Sequence, residues 1–129
     1  MKPLGFASEY VYSFSRGVVG FLFLAHGLQK LFGVLGAEQA VDLFSQLGFA
    51  GLIELFTGTL IMLGLYTPVA AFLASGLMAT AYFLAHLPRD FWPIMNGGEL
   101  AALYCFVFLY FSTRGSGPLS LDRLLRGRS

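Results

Sequence analysis

Four long apolar runs follow one another along the chain, separated by short breaks, and they constrain the fold more than any other feature. A helix that crosses a bilayer needs about 20 mostly apolar residues. The runs at about 10–32, 49–66, 68–87 and 97–113 meet or approach that length. The second and fourth are short, which fits a thin local bilayer or helix ends held in protein. Only 12% of the residues are charged and 57% are hydrophobic; a soluble domain carries about twice that charged share. The expected fold is therefore all-α: a polytopic membrane protein forming a four-transmembrane-helix antiparallel bundle, one membrane domain over 1–129.

The breaks between runs carry their own signals. "LGLYTP" separates the second run from the third. Gly64 suits a helix C-terminus and Pro68 the first turn of the next helix, which predicts a tight hairpin. In "GVLGAEQAVDLFSQLG" Val41, Phe44 and Leu47 recur at spacing three, with Glu38, Asp42 and Gln46 elsewhere around the helix. That pattern predicts a short interfacial helix between spans one and two. "PRDFWPIMNGG" reads as a folded loop with Trp92 as an interfacial anchor. Lys2, Glu9 and Arg16 break the order of a cleaved signal, so the first run is expected to be a retained span. Small residues provide packing surfaces: Ala71, Ser75 and Ala79 in span three, Gly51 and Gly58 in span two, Gly17 and Gly20 in span one.

Lys and Arg outside the spans set the expected orientation. Lys2, Arg114, Arg123, Arg126 and Arg128 fall on the side of the termini, and Arg89 alone falls opposite, with Glu38, Asp42 and Asp90. The positive-inside rule then puts both termini in the cytoplasm of a multi-pass protein of the cell's inner membrane. The near-zero net charge gives no reason to expect nucleic acid as a partner. The single cysteine, Cys105, permits no intramolecular disulfide, CxxC zinc site or dithiol, and reads as a small buried hydrophobe.

Direction converts sequence position into depth. Span one runs outward, so His26 and Lys30 lie near its outer end. Glu54 lies near the outer start of span two, His86 at the outer end of span three, and Glu99 at the outer start of span four. The five are expected to form one polar cluster in the outer leaflet, where opposite charges offset the cost of burial. Arg16 sits toward the cytoplasmic end of span one and needs a counter-charge there. Asp122, after the tight segment "GSGPLSL", is the expected partner in a structural ion pair.

Two uses of the outer cluster stay open. One is a structural ionic network that sets helix register. The other is a site, since ionisable groups inside a membrane mark function by default. An imidazole and a carboxylate suit a quinone head group, with His donating to a carbonyl oxygen and Glu accepting or relaying a proton. A metal is not expected, because no Glu-x-x-His spacing occurs and Lys30 opposes a cation. No triad, P-loop or GxGxxG motif is visible, so no catalytic residues are named. No polar residues lie across the middles of the spans, which argues against a continuous hydrophilic path.

"SRGVVGFLFLAHGLQKLFG" (Ser15–Gly33) resembles the first helix of the DoxX family of small bacterial and archaeal membrane proteins. "GLIELFTGTLIMLGLYTPVAA" (Gly51–Ala71) is similar to its second block, and His86, Glu99 and "GSGPLSLDRLL" follow in the family's order. Arg16, His26, Gly27, Lys30, Glu54, Gly64, Glu99, Gly117, Ser120 and Asp122 stand where the family's recurring residues are expected. The resemblance implies a four-helix membrane protein. The family's name comes from a small subunit of an archaeal terminal quinol oxidase, and relatives are associated with quinone- or thiosulfate-linked redox and oxidative-stress assemblies. The function this implies is an accessory or scaffold subunit of a larger redox complex, respiratory or photosynthetic, embedded in the lipid bilayer and without catalytic activity of its own. The alternative is a quinone-binding component that uses the outer His/Glu/Lys cluster.

Overall fold

Glycine-lined seams bring the helices of this chain together. The structure, a computed structural model, describes residues 1–127, so Arg128 lies outside the described residues. Six α-helices occur among them: α1 Ser8–Phe32, α2 Gln46–Leu63, α3 Thr67–Ala81, α4 Pro93–Asn96, α5 Glu99–Arg114 and α6 Leu121–Arg126. A single 3-10 turn, Gly5–Ala7, precedes α1. A wide turn over Tyr82–His86 continues α3, closed by the Leu87 N–H bonding to the Tyr82 carbonyl at 2.9 Å. Three helical segments, Gly5–Phe32, Gln46–Leu63 and Thr67–His86, are long and apolar enough to cross a membrane.

α1 and α2 run antiparallel in close contact. A Cβ on Gly27 would lie 2.7 Å from the Leu55 nitrogen and 2.8 Å from the Gly51 carbonyl oxygen. One on Gly58 would lie 2.7 Å from the Leu24 nitrogen, and one on Gly20 would collide with Met62. No larger residue fits this seam without moving a backbone. In lipid, apolar side chains gain nothing by leaving solvent, so such close backbone approach supplies the attraction. α3 offers Ala70, Ala71, Ala74 and Ser75, all buried, and α5 closes on them. The Ser75 hydroxyl donates to the Cys105 carbonyl oxygen at 2.8 Å. The centre is aromatic: Phe23 meets Phe108 and Tyr104 edge-on at 4.7 and 5.1 Å between ring centres.

The outward faces are apolar too. Phe14, Phe21, Phe56, Phe72 and Phe106 are all well exposed on their helices. In water such patches aggregate; against hydrocarbon chains they are at rest.

Helix boundaries depart from expectation by a few residues. α2 begins at Gln46 rather than 49 and ends at Leu63, because Gly64 takes the left-handed conformation (φ 71°) and stops it. Pro68 sits in the first turn of α3, as the hairpin signal implies. α5 has 16 residues, about 24 Å at 1.5 Å per residue, shorter than a hydrocarbon core of about 30 Å. It packs along α3.

The interfacial helix expected between spans one and two does not form. The stretch from Gly33 to Ser45 is irregular. Gly33 and Leu35 take positive φ, and the Val41 N–H folds back to the Lys30 carbonyl at 2.8 Å. Asp42 and Ser45 commit their side chains to local turns: Asp42 Oδ1 accepts the Phe44 N–H, and Ser45 Oγ accepts the Gly48 N–H and caps α2. Local side-chain bonds of this kind compete with helix and win where the apolar stripe is short.

Candidate functional site

The ionisable side chains fall at the two ends of the bundle. At the end where α1 begins and α6 lies, the α2–α3 hairpin presents two helix ends. The last carbonyls of α2 have no partner within the helix, nor do the first N–H groups of α3. Arg16, 2% exposed, reaches the first set. Its Nη1 donates to the carbonyls of Ile61 (2.7 Å) and Met62 (3.1 Å), and Nη2 to that of Leu119. Asp122 reaches the second. Its two oxygens accept the Tyr66 N–H at 3.1 and 3.0 Å, and Oδ2 takes the Ser116 hydroxyl at 2.6 Å. Ser116 also shares a hydrogen bond with the Thr67 hydroxyl at 2.7 Å. A cation at the C-terminus of α2 and an anion at the N-terminus of α3 both suit the helix dipoles.

This corrects the ion pair expected between Arg16 and Asp122. The two make no direct salt bridge; each binds an end of the hairpin instead, and the salt bridge of Asp122 is with Arg126, at 3.4 Å. The carboxylate takes one N–H across both oxygens and a hydroxyl, and the guanidinium takes three carbonyls, each set serving backbone groups at the hairpin. The chain after α5 thereby straps the hairpin. The Tyr12 hydroxyl donates to the Gly115 carbonyl at 2.7 Å, the Leu119 N–H to Ser13 Oγ at 3.2 Å, and the Asp122 N–H to the Gly64 carbonyl at 2.9 Å. Burial pushes the Asp122 carboxyl up, but the Ser116 hydroxyl, the Tyr66 N–H and Arg126 outweigh it and hold it below the usual carboxylate range.

At the opposite end, Lys30 Nζ and Glu54 Oε1 form a salt bridge between α1 and α2. The Glu54 side chain is 2% exposed and that of Lys30 is 27% exposed, so the pair is open to the surface through the lysine. The glycine seam brings them together: Gly51, one turn before Glu54, lies against the Lys30 stem. The second oxygen of Glu54, Oε2, is buried and has no hydrogen-bond partner among the described residues. His26 lies one helical turn before Lys30 on α1, and its ring stands edge-on to Tyr104, 6.1 Å between centres. Tyr104 is buried and in electrostatic reach of Glu54.

His26, Lys30 and Glu54 therefore converge. His86 and Glu99 do not join them. His86 Nδ1 lies 3.2 Å from the Asn96 carbonyl, and its ring is 6.2 Å from that of Tyr82. It belongs to the loop in which buried Asn96 donates to the Tyr82 hydroxyl and the Asp90 carbonyl, and accepts the Gly98 N–H. Glu99 is exposed at the first turn of α5. Depth places these residues at one level but not around one axis. Among the described residues no group of three His, Cys, Asp or Glu side chains could hold a metal. Tyr104, Tyr12, Ser13, Ser116 and Thr67 were not singled out by the sequence. A hydroxyl on an apolar helix face is the signal Tyr104, Tyr12, Ser13 and Thr67 carry, since such groups seek a partner when buried; Ser116 lies between α5 and α6 and carries no such signal.

Long apolar helices packed through glycine, apolar outer faces and a buried ion pair define a helical integral membrane protein. The chain belongs to the DoxX family, whose model matches residues 12–87, more than half of its length. It is 42% identical over 120 residues to an uncharacterised protein of Haemophilus influenzae, a match that covers 88% of this chain and 89% of that one. No solved structure matches it.

Proposed function

We propose that this DoxX-family chain is an accessory subunit of a larger redox complex in the cytoplasmic membrane, a scaffold without chemistry of its own. α5 serves as a fourth span, so both termini lie in the cytoplasm and the chain forms one domain. The observation that carries this reading is where the ionisable groups go. Arg16 and Asp122 close the α2–α3 hairpin, and Lys30 ties α1 to α2, while the outer faces carry exposed phenylalanines. Polar chemistry holds the bundle together, and apolar surface is left for lipid and neighbouring membrane helices. The charge bias agrees: Lys2, Arg114, Arg123 and Arg126 lie at the end with the termini, and Arg89 lies in the loop between α3 and α5. The redox assignment comes from the family resemblance.

Extraction in mild detergent, with mass spectrometry of what comes along, tests the reading. The chain should migrate with larger redox proteins at fixed stoichiometry. A stable lone species with no companion would refute it.

A second reading is favoured by the unpartnered oxygen of Glu54 beside His26. In that reading the pair holds a quinone head group, His26 donating to one oxygen and Glu54 accepting from a hydroxyl. Purified protein would then carry quinone and lose it in His26→Ala. Protein free of quinone, and unchanged in stability when quinone is added, excludes it.

A further inference from the structure

The most conspicuous unresolved group in the molecule is the inner oxygen of Glu54. A buried polar atom left without a partner costs about 1–3 kcal/mol, more when charged, and native structures keep few of them. Here one oxygen of the same carboxylate is held by Lys30 while the other has no hydrogen-bond partner among the described residues. Groups that face Glu54 from its neighbours are few. α1 supplies Lys30 and His26, and α5 supplies Tyr104. α3, over Thr67–Ala81, has no titratable side chain at all. Among the described residues one cation touches the carboxylate, and that cation is the part of the site open to the surface.

We propose that Glu54 is a membrane-embedded proton-binding site, loaded through Lys30 from the loop end of the bundle. In the loading step an Nζ–H bond of Lys30 breaks and an O–H bond forms on Oε1. The neutral amine then takes a proton from a hydronium ion at its exposed face, leaving water. The pair has gained one proton and one positive charge. Carboxyl rotation brings the O–H to the inner position, toward His26 and Tyr104. Unloading reverses these steps. The ligand is the proton itself, so no cavity is required. The inference is independent of the quinone reading and of any partner.

Infrared difference spectra of the quinone-free protein in lipid nanodiscs, recorded as pH is lowered, test it. A carboxylic-acid carbonyl band should grow at the high-frequency edge typical of apolar surroundings, and it should shift in D2O. Glutamate carrying a carbon isotope at its carboxyl should move the band, which separates it from Asp42, Asp90 and Asp122. The band should vanish in Glu54→Gln and persist in Glu99→Gln, whose wild-type carboxylate is exposed. Lys30→Met removes the opposite charge, so the midpoint should move to higher pH by about 1–3 units. Because Glu54→Gln can fail to fold, the isotope shift in wild-type protein and the Lys30→Met midpoint stand as separate readouts. A spectrum with no apolar carboxylic-acid band while the fold persists overturns the proposal. So does a band that survives Glu54→Gln, or a midpoint that ignores Lys30→Met.

Discussion

Consider Gly58→Ala at the seam between α1 and α2. The new methyl would lie 2.7 Å from the Leu24 nitrogen and 2.8 Å from its Cα, where ordinary Cβ contacts begin near 3.4 Å. Both obstacles are backbone, so no rotamer change relieves them. The helices must part locally by about 0.7 Å, and a gap of that size forfeits about a quarter to a half of each contact's attraction. Overpacking of this kind costs about 1–3 kcal/mol, and in lipid no hydrophobic gain between helices offsets it. Gly76 is the control. It lies in α3, exposed, with nothing within 4 Å of a built Cβ. Alanine there should stabilise the protein by about 0.5–1 kcal/mol, because glycine loses more freedom in a helix. Reversible unfolding by SDS in mixed micelles measures both. The signs should be opposite. Gly58→Ala as stable as wild type, or equal losses at both positions, would refute the packing argument.

Three further outcomes are expected. Asp122 titrates below its unfolded value, so it contributes stability above the unfolded carboxylate pKa, and that contribution is lost as pH falls through the lower folded value; Asp122→Asn should abolish this acid limb in a pH series of unfolding curves. Lys30→Met leaves Glu54 buried and unpaired and should cost about 3–5 kcal/mol, with part recovered in the double variant carrying Glu54→Gln; additive losses in that cycle would mean that the pair is not coupled. Glu99→Gln should change stability by no more than about 0.5 kcal/mol, and a larger loss would return Glu99 to the ionic network.

Three of the spans are legible because hydrocarbon tolerates so few side chains, and Gly64 with Pro68 marks the hairpin. The Lys30–Glu54 pair was legible too, because alternating span direction assigns depth. What depth leaves open is position around the helix axis, and this is why His86 and Glu99 stand apart from the cluster they were expected to join. Spacing three at Val41, Phe44 and Leu47 suggested a helix, yet Asp42 and Ser45 turned the chain instead. In the sequence Arg16 points to Asp122 as a partner because Arg16 needs a counter-charge on its side of the bundle. Arg16 instead binds backbone carbonyls, and Asp122 binds a backbone N–H, the Ser116 hydroxyl and Arg126; the backbone partners are ones no residue letter displays.

If α5 completes a four-span bundle, both termini lie on one side of the membrane. Cysteine labelling tests it most directly. On a Cys105→Ser background, single cysteines at Lys2, Glu38 and Arg123, all exposed positions, are treated in intact cells with a membrane-impermeant maleimide. Four spans with cytoplasmic termini predict labelling at 38 alone, and at all three after permeabilisation. Labelling at 38 and 123 together, with 2 protected, would mean three spans and contradict the account.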